Sequence, residues 1–122
     1  MQANGPLAEI RDGLITIVVF GEDMKHLDES RMADVGRKLL EIVDGLPHPV
    51  LVFDMTSTEF FGSSFIELLF RVWKRLTAKP SAKFGIAGLQ PYCREVLEVT
   101  HLDTLWPLFD TQADAINAFK SE

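Results

Sequence analysis

From Leu14 to Phe20 the residues are apolar almost without a break, LITIVVF, which is the pattern of a strand covered on both faces. Glu9 to Phe20 places Asp12-Gly13 between two β-rich runs, and that dipeptide suits the positive φ angles of a tight type I′ turn, so a hairpin is expected to open the fold. From Asp28 onward Met32, Val35, Leu39, Ile42 or Val43, and Leu46 recur every three or four positions and draw one buried helical stripe. Asp28 or Ser30 is placed to cap that helix, and Gly45 with Pro47 and Pro49 stops it.

Val50 to Asp54 reads as a short interior strand, and Met55 to Gly62 as a polar connection interrupted by Phe60 and Phe61. The next segment, SSFIELLFRVWKRL, carries Phe65, Leu68 or Leu69, Val72 and Leu76 on one helical face, widened by Ile66 and Trp73, until Pro80 ends it. Lys83 to Ala87 is a further strand. Pro91 suits the first turn of a helix whose stripe is Tyr92, Val96 and Val99. Leu105 to Phe109 reads as a last strand, held to a sheet edge by Pro107, and Thr111 with Asp114 fits a capping box before Ala115, Ile116 and Phe119. Strands alternating with helices predict an α/β fold: a mixed, mostly parallel sheet opened by an N-terminal hairpin, with about four helices. Only the first strand is expected to run antiparallel to its neighbour.

Length and composition narrow this picture. At 122 residues the chain has room for a single domain, 1–122, and its 47% apolar and 25% charged residues are ordinary globular usage. A net charge of −6 argues against a nucleic-acid partner, since Lys74, Arg75, Lys79 and Lys83 are the only local basic group and suit a solvated helix end. The single cysteine, Cys93, has no second thiol for a disulfide, which fits the cytosol. The start, MQANGPLAEIRDG, lacks the basic and apolar regions of a signal peptide, and no apolar run reaches bilayer length, so direct membrane insertion is not expected.

Catalytic chemistry finds little support. His26, His48 and His101 lie apart with no metal-ligand spacing, so no metal site is expected. Gly62-Ser63-Ser64-Phe65 is not a nucleophile elbow, and Gly85 to Gly88 (GIAG) is too sparse to cradle phosphate, so no catalytic residue and no cofactor are assigned.

The segment VLVFDMTSTEFFGSSFIELLFRVWKRL, residues 50–76, resembles the central signature of STAS domains, the family of bacterial anti-sigma factor antagonists. That signature is a hydrophobic strand ending in Asp, a polar link, a hydrophobic pair, and Asp-Ser-Ser-Gly opening a helix; Asp54, Phe60 with Phe61, and Ser63 with Ser64 match it in turn. The closing half also resembles the family, with Leu102 and Asp103 before the last strand and Ala115 in the last helix. The resemblance implies a non-enzymatic binding protein that engages a serine kinase acting as anti-sigma factor, is phosphorylated at Ser63 (or alternatively Ser64), and is reset by a phosphatase. It further implies a partner surface made by Asp28, Phe61, Gly62, Ser63, Ser64 and Phe65, because the loop GEDMKHLDES resembles a family stretch beside the serine pair. Asp28 is equally explained as a helix cap.

Three positions depart from the pattern. Gly62 stands where the family usually has Asp, Phe65 where it has Gly, and Glu67 follows one turn after Ser63. Loss of the Asp removes a carboxylate beside the acceptor hydroxyl and suits a second reading, a constitutive subunit or scaffold of a transporter or stress-sensing complex. The serines also have a purely structural reading: Ser64 and Glu67 form a Ser-x-x-Glu capping box. Phe61, Phe65 and Trp73 are the aromatic residues to watch at the surface, Phe65 as a partner contact and Trp73 as ordinary core.

Overall fold

The computed structural model describes residues 7 to 121. The first six residues, where the segment read as lacking a signal peptide begins, and residue 122 lie outside the described residues. The strands are β1 (Leu7–Asp12), β2 (Ile15–Phe20), β3 (His26–Leu27), β4 (Val50–Asp54), β5 (Phe60–Phe61), β6 (Lys83–Ala87) and β7 (Leu108–Phe109). The helices are α1 (Met32–Asp44), α2 (Ser63–Thr77), α3 (Pro91–Val99) and α4 (Gln112–Lys120). Five strands form one sheet in the order β1-β2-β4-β6-β7, with β1 antiparallel to β2 and every other pair parallel. A second, two-stranded sheet pairs β3 with β5.

The centre of the sheet is buried on both faces because β2, β4 and β6 are apolar at nearly every position. One face carries Val18, Phe20, Leu51, Phe53, Phe84 and Ile86, packed with the buried stripes of α1 and α2 and with Cys93 and Leu97 of α3. Edge-to-face rings bind this core together: Phe20 on Phe53, Phe53 on Phe84, and Phe84 on the fully buried Trp106. The opposite face carries Ile15, Ile17, Val52 and Ala87, closed by Ala115 and Phe119 of α4.

Several expectations need correction. The hairpin turn centres on Gly13-Leu14, since Asp12 pairs with Ile15, and only Gly13 has positive φ (62°), as at the first central position of a type II′ turn. Leu14 is thereby left 59% exposed outside the strand. In α3 the buried pair is Cys93 and Leu97, whereas Tyr92 and Val99 face solvent. A nine-residue helix has too few turns for spacing alone to separate two adjacent stripes. The last strand is only Leu108–Phe109, because Leu102–Thr104 turn as a 3-10 helix and Trp106 plunges into the core. Trp73 is half-buried against Phe70 and Trp106. Thr111 caps α4 as expected, accepting from the Asp114 N–H at 3.1 Å.

Candidate functional site

The path into the serine pair starts at Asp54, the last residue of β4. Its Oδ1 accepts from the Thr56 N–H (3.1 Å) and hydroxyl (2.6 Å), and its Oδ2 accepts from Gln112 Nε2 (2.8 Å), so the carboxylate folds the chain back at the end of the sheet. Gln90 Nε2 donates to the Thr56 carbonyl at 2.9 Å and ties this turn to the start of α3. Beyond it the N–H groups of Glu59 and Phe60 donate to the Lys25 carbonyl, and β5 pairs with β3, His26 opposite Phe60 and Leu27 opposite Phe61. His26 lies 3.4 Å from the Glu59 carboxylate. The polar connection read from the sequence is therefore pinned to the loop after β2, and that small sheet delivers residue 62 to the start of α2.

Gly62 is the residue before the first turn of α2, with extended backbone (φ −104°, ψ −172°), and its carbonyl accepts from Phe65 and Ile66. Ser63 and Ser64 are the first two helical residues, Ser63 exposed and Ser64 half-buried. No side chain caps this helix, so the expected Ser64–Glu67 capping box does not form. The reason is register: a capping serine must precede the helix, and here glycine holds that position. A Cβ built on Gly62 meets only Phe60 Cζ, at 3.9 Å, so the backbone tolerates a side chain here. The glycine leaves the surface beside Ser63 bare rather than relieving strain.

The surrounding side chains differ from the expected partner surface in a defined way. Phe61 and Phe65 are buried, 2% and 0% exposed, because both pack inward against each other and Phe65 also against Phe20. Neither offers its ring to a partner. The exposed aromatics are instead Phe60 and Tyr92, stacked with ring centroids 5.9 Å apart. Period two in β5 turns Phe60 outward as Phe61 turns inward. Asp28 caps the 3-10 turn Glu29–Arg31 that leads into α1, accepting from the Ser30 N–H and, at 2.5 Å, from the Ser30 hydroxyl. The Ser30 hydroxyl bond is the main cause holding the Asp28 carboxyl below the usual carboxylate range.

A profile of the STAS domain matches residues 6–115. The chain belongs to the STAS domain family. Among solved structures it is similar to an anti-sigma factor antagonist (STAS) domain protein from Planctomyces limnophilus, at 34% identity and a TM-score of 0.84 over 92% of this chain and 96% of that one. It also shares the fold of the anti-sigma factor antagonist SpoIIAA in its unphosphorylated form, at 13% identity and TM-score 0.68 over 95% and 99% of the two chains. The Bacillus cell fate determinant SpoIIAA in the phosphorylated form superposes equally well, at 16% identity and TM-score 0.67 over 93% and 98%. Comparison with curated protein sequences gives no match.

In this STAS chain no helix among the described residues is long and apolar enough to cross a membrane, and no His, Cys, Asp or Glu group among them is arranged to hold a metal ion. Cys93 lies directly under the site, its Sγ 4.0 Å from the Thr58 carbonyl. Burial pushes the thiol up to about 11, against the smaller opposing effect of a backbone hydrogen bond from Phe61. At pH 8 the thiol is therefore held in its protonated, unreactive form. Iodoacetamide at that pH is expected to leave Cys93 unlabelled in the folded protein and to label it fully in denaturant, as read by intact mass. Rapid labelling without denaturant would contradict this burial.

Two features of the site escaped sequence reasoning. The β3–β5 pairing joins strands of two residues each, too short for any periodicity. The spacing of Tyr92 with Val96 and Val99 places it inward; its stacking with Phe60 depends on α3 lying beside β5, which only the tertiary fold decides.

Proposed function

We propose that this chain is a non-enzymatic regulatory binding protein of the anti-sigma factor antagonist type, switched by phosphorylation of Ser63 and acting in the cytoplasm. The observation that carries the reading is the Ser63 hydroxyl: exposed, at the first position of α2, and committed to no capping bond. A helix start leaves N–H groups unpaired and carries partial positive charge, so phosphate added there is tolerated without unfolding. The similar superposition of both SpoIIAA forms supports this. Phosphoserine would place nearly two negative charges, with their hydration, on a surface that the partner must cover, and an unpaired covered charge opposes binding. The partner is read as a serine kinase that doubles as anti-sigma factor, with a phosphatase as the resetting enzyme. The partner face takes in Gly62, Ser63, Ser64 and the neighbouring Asp28 loop, and the exposed Phe60–Tyr92 stack supplies the apolar contact that Phe61 and Phe65 do not.

Gly62 favours one second reading, a constitutive STAS subunit or scaffold that is never phosphorylated, because no carboxylate stands beside the hydroxyl. The two separate in one experiment. The protein is incubated with its cognate kinase and ATP, and modified peptides are mapped by mass spectrometry, while Ser63→Asp and Ser63→Ala are compared with wild type for kinase binding. Phosphate is expected on Ser63, with Ser63→Asp weakening binding by at least about tenfold and Ser63→Ala binding as wild type. An unmodified Ser63, together with wild-type binding by Ser63→Asp, would sink the switch and leave the constitutive reading.

A further inference from the structure

The two edges of the main sheet are built differently. At one edge β7 is two residues long and follows Pro107, which has no N–H to donate, so little strand is open to a newcomer. At the other, β1 keeps six residues in unbroken register with β2, without bulge or proline, and among the described residues no backbone hydrogen bond reaches its outer side. Such an unpaired row of N–H and C=O groups is a template for another strand.

The side chains of β1 restrict what that strand is. Glu9 and Arg11 lie two residues apart and so on one face, where they line a groove of about 380 Å³ with Lys38 and Glu41 of α1. Among the described residues of one chain their only ion pair is with each other, at 3.3 Å and in exposed surroundings. Ile10 points to the other face, beside its β2 partner Ile17, and is 45% exposed. A two-fold axis normal to the sheet keeps matching faces together, so two copies of β1 meet antiparallel with a residue opposite itself at the centre. Centring on Glu9 or Arg11 sets like charges against each other. Centring on Ile10 sets Glu9 opposite the second copy's Arg11 twice over, at cross-strand pairing distance, and brings the two exposed isoleucines together on the other face.

We propose that β1 is a self-association edge: two copies of this chain pair antiparallel through Ala8–Asp12 about Ile10, joining their sheets into one ten-stranded sheet. Being formed by the sheet edge, this contact is independent of the Ser63 reading and stands or falls without it.

Sedimentation velocity on the full chain, from micromolar to several hundred micromolar, tests the proposal. A monomer–dimer equilibrium is expected. Glu9→Arg or Arg11→Glu alone should weaken it by about tenfold, because symmetry repeats each like-charge pair, and the double variant E9R/R11E should restore it. Ile10→Arg, which introduces two facing charges at the axis, should abolish it. Thermal melts monitored by circular dichroism confirm that each variant is folded, as expected for exposed positions. A chain that stays monomeric throughout, a dimer indifferent to the single inversions, or a folded double variant that fails to regain the dimer would each overturn the proposal.

Discussion

Replacing Phe65 with alanine is expected to cost about 3–5 kcal/mol of folding stability, the range for truncating a fully buried phenylalanine. The ring is 0% exposed at the start of α2, edge-on to Phe20 at 6.0 Å and tilted against Phe61 at 5.2 Å. Its removal loses both the transfer free energy and the contacts of neighbours that cannot collapse into the space, since Phe20 is held in turn by Phe53. In a chain of this size the loss corresponds to roughly 10–20 °C in melting temperature. Urea denaturation of wild type and Phe65→Ala would measure it, with Phe60→Ala as the contrast: that ring is 38% exposed, and its loss should cost clearly less. A loss below about 1 kcal/mol for Phe65→Ala would show that the ring does not fill the core in solution. The outcome also decides how binding data are read. If Phe65→Ala releases a partner, the loss of folded protein must be subtracted before any contact is assigned to this residue.

Phe65 marks the boundary between what the sequence carried and what it did not. The strands β4 and β6 and the stripes of α1 and α2 were legible at residue level, because long segments with strong periodicity leave one consistent solution. At the site, legibility depended on the phase of single residues. Ser64 and Glu67 have the spacing of a capping box, yet the helix begins two residues too early for that box to close. The rings of Phe60 and Phe61 are chemically identical, and only the pairing of β5 with the two-residue β3 decides which turns outward. Tyr92 and Cys93 are adjacent in the same way: the first became surface and the second core once α3 settled against β5. Asp28 was legible as a cap because its role is local, requiring only Ser30 two residues on, but it caps the 3-10 turn before α1 and not α1 itself, whose start has no side-chain cap.

Gly88 shows how a residue with no evident role in the sequence governs the path to the site, and Gly88→Ala is expected to cost about 2–4 kcal/mol. Two causes add. Its φ is +77°, which disfavours any residue with a Cβ, and that Cβ would stand 2.3 Å from the Thr56 hydroxyl and 3.3 Å from the Thr56 Cα. Because β4 and β6 run side by side, this glycine follows the end of β6 where Thr56 follows the end of β4. The hydroxyl must move aside, and it is the group that donates at 2.6 Å to Asp54, whose other oxygen holds Gln112. The expected result is therefore coupling. In a Thr56→Ala background, where the hydroxyl is already gone, Gly88→Ala should cost about 1–2 kcal/mol less than in wild type. Equal costs in both backgrounds would remove the steric part of the argument and leave the backbone angle alone. The strain is also directional, since Thr56 is followed by the turn at Thr58 and then by β5. Amide hydrogen exchange in Gly88→Ala should accelerate at Glu59 and Phe60, whose N–H groups donate to Lys25, before it does in the centre of the sheet.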